Sequence, residues 1–137
     1  MATKKTLTFC LMDAPFESAR STTAMRLIDI AARKGHTTNV FAYEGAVGLT
    51  FTKQQGHPNK VHGHDVDEED HPLPHVWIDS IRALARAKGG DLNWINCGLC
   101  EDERGTQEAL VFAKRGTPGD LWAWAEASDN TLIIATR

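Results

Sequence analysis

The sequence is short of several things, and each shortage excludes something. There are only three cysteines in 137 residues. That odd number, with no export signal read ahead of it, argues for reduced thiols rather than a disulfide framework. No apolar run approaches the roughly 18 residues of a membrane span. The opening "MATKKTLTFCLM" carries two lysines, but its apolar stretch is too short for a signal peptide and no cleavage site follows. The expected location is therefore the cytoplasm. Formal net charge is −3 with no basic stripe, so neither a nucleic-acid footprint nor a membrane surface is indicated. No Gly-rich phosphate loop of the G-x-G-x-x-G kind follows the first strand, where "DAPFES" stands instead. That argues against a nucleotide or flavin site, and no organic cofactor is expected. "DAPFES" is expected to line the same pocket as the thiols. Internal repeats and low-complexity tracts are missing too.

What is there reads as one domain, residues 1–137, long enough to bury a core without staples. "TLTFCLM" at 6–12 is β-prone and almost continuously apolar, as a strand buried on both faces would be. A helix over 21–34 follows, with Ala24, Leu27, Ile28 and Ala31 on one face. Arg33-Lys34-Gly35 stops it, and His36 is expected to cap its end. "TTNVFAYEG" is a second strand. "PHVWIDSIRALARAKGG" then forms a helix with Trp77, Ile81, Leu84 and Ala85 together, and "DLNWINC" is a strand ending at Cys97. A short helix is expected over 101–112, and another in "TPGDLWAWAEAS". The closing "TLIIATR" reads as a last buried strand. At least four strands alternating with helices predict an α/β fold with a mostly parallel sheet.

One segment, about 46–74, breaks this rhythm. A connection that long is functional, partly helical or mobile. It holds His57, His62, His64 and His71 among acids, with His75 just beyond.

The chemistry concentrates in "INCGLCEDERG", residues 95–105. In open α/β sheets reactive groups gather beyond the carboxyl ends of strands. Cys97 falls there, and Cys100 falls in the turn or at the start of the next helix. A sulfur at a helix N-terminus meets unpaired N–H groups and the positive end of the dipole, both of which favour thiolate. Cys97 is thus placed as a nucleophile, with Gly98 leaving room for close approach. Against this, Glu101, Asp102 and Glu103 are anions beside the thiols, and Arg104 is the only near cation. Arg104 turned toward the sulfurs would offset that repulsion and steady a persulfide anion. Packing is the plain alternative for any cysteine, and for Cys10, amid apolar neighbours in the first strand, it is the preferred one. Zinc is the rival use of the pair. A structural site wants four ligands, so His62, His64 and His71 or His75 would have to complete it.

With these residues placed, the chain resembles the DsrE/DsrF-like family, which includes the TusD-type sulfur-relay proteins. The likeness runs through the opening strand, "KGH…VFAYEG", "CGLCEDERG" and the closing "TPGDLWAWAEASDNTLIIATR". The resemblance implies a flavodoxin-like α/β fold with helices on both faces and assembly into a homo-oligomer, a trimer or hexamer. In relay members a cysteine on the loop after a central strand accepts a persulfide sulfur and passes it on. By its spacing from Arg104-Gly105 that cysteine is Cys97 here. Cys100 matches a second thiol found in some members, which resolves a persulfide, takes part in relay, or does neither. The histidine-rich stretch looks like an elaboration beyond the shorter relay subunits.

The leading expectation is a cytoplasmic sulfur carrier, sulfurtransferase-like if active, using Cys97, Cys100 and Arg104 with protein sulfur donors and acceptors. The alternative is a dithiol redox or metal-responsive module using Cys97 and Cys100 with the histidine loop. A third reading is an oligomer subunit with incidental thiols. Trp122 and Trp124 at alternate helix positions cannot both face one core, so one of them is available to an interface.

Overall fold

The computed structural model describes residues 3–55, 72–106 and 108–136. The histidines at 57, 62, 64 and 71 lie outside the described residues, and with them the histidine-assisted metal site.

Among the described residues, five strands form one parallel sheet in the order β4-β3-β2-β1-β5. They are β1 (Thr6–Leu11), β2 (Thr37–Ala42), β3 (Asp91–Cys97), β4 (Ala113–Gly116) and β5 (Asn130–Ile134). The helices are α1 (Ala19–Arg33), α2 (Pro74–Ala87), α3 (Gly98–Arg104) and α4 (Pro118–Ala127). The crossovers from β1 to β2 and from β2 to β3 advance in one direction, so right-handed connection puts α1 and α2 on the same face. They pack there against each other. The connection from β4 to β5 runs back across the sheet, and the same rule sends α4 to the opposite face. Its Trp124 carbonyl accepts the Thr8 hydroxyl. The expected α/β arrangement with helices on both faces is observed.

Beneath α1 and α2 lies the core: Phe9, Val40 and Trp94 in register across three strands, under Ile28, Ile78 and Ile81. All six are essentially inaccessible, and each such side chain contributes about 1.5–3 kcal/mol by leaving water. The buried stripe of α1 is Ser21, Ala24, Met25, Ile28, Ala31 and Ala32. Leu27, expected on that stripe, is exposed, because the buried stripe is centred on Ile28, about 100° around the helix from Leu27. In α2, Ile81 and Ala85 are buried as expected, while Trp77 and Leu84 pack against the core from its margin. His36 does not cap α1 with its side chain. Its Nδ1 accepts the Lys5 amide at 3.1 Å and pins the entry to β1.

Three expectations about the second half are corrected. The helix placed at 101–112 is α3, which starts at Gly98 and stops at Gly105. Gly105 takes the left-handed conformation (φ 61) that lets the Thr106 amide reach the Glu101 carbonyl at 3.1 Å. The residues that follow include β4, a strand the sequence reading omits. The final strand, expected to be buried, is an edge: β5 pairs only with β1, and none of its residues is buried. Finally, Glu44–Thr50 forms a 3-10 helix that runs into the start of the irregular stretch.

Candidate functional site: two thiols at the sheet's carboxyl edge

All five strands end on the same edge of the sheet, and the site is built there from the ends of β2, β3 and β4. Cys97 closes β3 and is the N-cap of α3, its Sγ accepting the Cys100 amide at 3.4 Å. One helical turn returns Cys100 over it. The two Sγ atoms are 2.6 Å apart, with Cys100 donating to Cys97, and both cysteines are free. They are 4% and 5% exposed. Both nonetheless line an open cleft of about 240 Å³, walled by Tyr43 and Glu44 from the end of β2, Arg104 from α3, and Thr117 after β4. Cys10 is not among the residues lining this cleft; it is buried in β1, and its thiol is pushed up by burial.

Glu44 joins the cleft's parts. Its backbone has a positive φ of 51°, which for a residue with a Cβ is uncommon. That conformation turns its N–H onto the Cys100 Sγ at 3.2 Å. Its carboxylate pairs with Arg104 at 2.7 Å. Burial first, then the Cys97 sulfur, push the Cys100 thiol up to about 11, against the opposing pull of the Glu44 amide. Cys100 is therefore protonated at neutral pH. The Tyr43 hydroxyl is also pushed up, by the Glu44 charge and then by Cys100.

The acid triplet is arranged differently from its expected repulsion. Glu101 and Asp102 turn to Arg115 of β4, which binds Asp102 with two nitrogens at 2.9 and 2.7 Å and Glu101 with one at 3.1 Å. This guanidinium holds the Asp102 carboxyl below its usual range. It also lies over Gly98, where a Cβ would stand 3.1 Å from it. Arg104 is thus not the only cation near the thiols, and it points first at Glu44. Sequence reasoning missed Tyr43, Glu44 and Arg115. Their only signal was position at a strand end, and none of them is near the cysteines in the chain.

"DAPFES" does not line the thiol cleft. Ala14, Pro15 and Glu17 line a second one, of about 620 Å³, between the ends of β1 and β5. Glu44 and Arg104 border both, so their ion pair is the partition between the two. Among the described residues, no group of three or more His, Cys, Asp or Glu side chains is arranged to hold a metal ion. Among them too, no helix is long and apolar enough to cross a membrane.

Comparison with known proteins decides the family. The sequence profile of the DsrE/DsrF-like family matches residues 5–133. The chain belongs to the DsrE/DsrF-like family. Among solved structures, this DsrE/DsrF-like chain is similar to the ychN protein from E. coli, at a TM-score of 0.71 and 18% sequence identity. The match covers 96% of this chain and 99% of that one. At that identity the likeness is one of fold. No protein of curated function matches the chain.

Proposed function

We propose that the protein is a sulfur carrier in which Cys97 holds a persulfide. The observation that carries this is Cys97 lining an open cleft at the end of an interior strand. The Cys97 thiolate attacks the outer sulfur of a donor persulfide. A new bond forms from Cys97 Sγ to that sulfur as the donor's S–S bond breaks, and the donor leaves as a thiolate. An acceptor thiolate then takes the outer sulfur by the same displacement. Both steps are thiol–sulfur exchange and consume neither an organic cofactor nor an outside oxidant. Arg104, on the cleft wall, is the cation for the persulfide anion once it releases Glu44. The partners on this reading are sulfur donor and acceptor proteins in a reducing compartment such as the cytoplasm.

Assembly into a homo-oligomer belongs to the same proposal. In α4 none of the residues is buried, although it carries Leu121, Trp122 and Trp124. Trp122 and Ile133 are 69% and 59% exposed. Aromatic and apolar side chains left open in this way suit an interface with further copies of the chain.

The test is to incubate the reduced protein with a persulfide donor, weigh it intact, and map the added sulfur by digestion. One extra sulfur atom on Cys97 at the earliest times after mixing, absent from Cys97→Ser, is the expected result. An unmodified wild-type chain, or sulfur that persists in Cys97→Ser, ends the proposal. A second reading, a dithiol redox module without sulfur transfer, is favoured by the contact between the two sulfurs. It would give a reversible Cys97–Cys100 disulfide with oxidants and no sulfur adduct in any variant.

A further inference from the structure

A carrier needs one thiol, and this cleft has two. Cys100 is as deeply set as Cys97, and its Sγ lies 2.6 Å from the Cys97 Sγ. The two thiols are in contact, the arrangement that a disulfide between them requires. The Glu44 amide holds Cys100 in place at 3.2 Å, aimed by the left-handed backbone of Glu44. Two elements distant in sequence thus fix the second thiol against the sulfur of the first.

Resting on the carrier reading, we infer that Cys100 is a resolving thiol, which cleaves the Cys97 persulfide and releases its outer sulfur as sulfide. Cys100 Sγ attacks Cys97 Sγ. The bond between the two cysteine sulfurs forms as the bond from Cys97 Sγ to the outer sulfur breaks. The bonding pair leaves with the outer sulfur, which takes the Cys100 proton and departs as HS⁻. The outer sulfur gains two electrons, the two cysteine sulfurs together lose two, and the net charge is unchanged. No outside oxidant enters. Resetting the dithiol takes a thiol or dithiol reductant through two exchanges.

The division of labour follows from the site. Cys100 is protonated at neutral pH, so it is a poor nucleophile toward a donor from solution. It keeps the proton that a departing sulfide requires. Its weak nucleophilicity is offset by position, because holding reacting atoms in contact replaces a bimolecular encounter by an effective concentration of about 10⁵ M or more. The substrate class is correspondingly broad: persulfides and inorganic polysulfide able to reach Cys97 through the cleft. When no acceptor thiol is at the cleft, the product is free sulfide rather than sulfur handed to a protein.

The experiment follows a single turnover without reductant. Reduced full-length wild type, Cys100→Ser and Cys100→Ala are loaded with equimolar inorganic polysulfide and desalted. Intact mass, peptide maps and released sulfide are then followed in time, after thermal melts establish that both variants fold. In wild type, the one-sulfur adduct should give way to a chain two hydrogens lighter than the reduced protein, with one sulfide released per disulfide. In both variants the adduct should stay on Cys97, with sulfide release at least about tenfold slower. Release from the variants as fast as from wild type overturns the inference, as does a stable wild-type persulfide with position 100 still a free thiol. If neither wild type nor variants ever carry sulfur on Cys97, the carrier reading itself falls, a different and separable result.

Discussion

Asn96, the residue before Cys97, is fully buried and bridges two elements. Its Oδ1 accepts the Trp94 indole N–H at 2.9 Å, and its Nδ2 donates to the Thr50 hydroxyl at 2.9 Å. Replacing it by alanine leaves the indole N–H without a partner in an environment closed to water. An orphaned buried donor costs about 1–3 kcal/mol. The missing amide group leaves unfilled space, adding about 1–2 kcal/mol more by analogy with core truncations. The expected destabilisation is therefore about 2–5 kcal/mol, a large share of the 5–15 kcal/mol typical of whole domains. Urea unfolding measures it, provided the slope stays unchanged so that the midpoint shift reports stability alone. Trp94→Phe removes the donor from the other side. If the hydrogen bond carries the effect, the double variant should cost less than the sum of the singles, with a coupling of about 1–3 kcal/mol. A loss below about 1 kcal/mol for Asn96→Ala, or strict additivity, would rule out the hydrogen bond as the source of the effect.

Three further outcomes are expected. The Cys100 thiol is raised from 9.0 to about 11 in the folded chain, so the native state holds that proton more tightly than the unfolded one. Its contribution to stability is complete below pH 9 and is lost as pH climbs through about 11. Urea midpoints on either side of that window should fall in wild type and fall less in Cys100→Ala; a rise in wild type would contradict the assignment. Two glycines should differ sharply on substitution. A Cβ at Gly90 would overlap the His36 carbonyl oxygen, whereas one at Gly105 meets nothing and is strained only by its φ of +61°. Gly90→Ala should cost about 2–3 kcal/mol and Gly105→Ala about 1 kcal/mol; the reverse order in thermal melts would count against this account. Lastly, Trp122→Asp should shift an assembled wild type toward monomer in light scattering while leaving the secondary structure unchanged. A wild type that is already monomeric at micromolar concentration would remove the interface.

The parts of the fold legible in the sequence are those written in local pattern. The apolar run of β1, the spacing within α1 and the glycine stops after α1 and α2 belong to neighbouring residues, and the strand–helix rhythm follows from them. So does the placing of Cys97 and Cys100, since the end of "DLNWINC" fixes the first and one helical turn fixes the second. The rest depends on sheet order, which local pattern does not carry. "TLIIATR" has the composition of a central strand yet lies at an edge, because α4 returns the chain across the sheet to pair with β1. "AKRG" looks nothing like a strand: β4 is an edge of four residues with Lys114 and Arg115 exposed. Its register sets Gly116 beside Cys97, and that pairing brings Arg115 to Glu101 and Asp102. The Glu44–Arg104 pair likewise joins residues 60 positions apart, so the wall of the thiol cleft is a product of the tertiary fold.

That wall has an unusual make-up. Between the thiol cleft and the larger hollow beside β1 stand two half-exposed side chains, Glu44 and Arg104, and their ion pair. A pair of this exposure is worth about 0–1 kcal/mol, which is comparable with thermal energy. A change of rotamer at either residue therefore joins the two spaces into one trough without moving any strand or helix. The size of guest that the cleft can admit therefore depends on ionic strength as well as on shape, since added salt loosens the pair, and an anionic guest that claims Arg104 would widen its own way in.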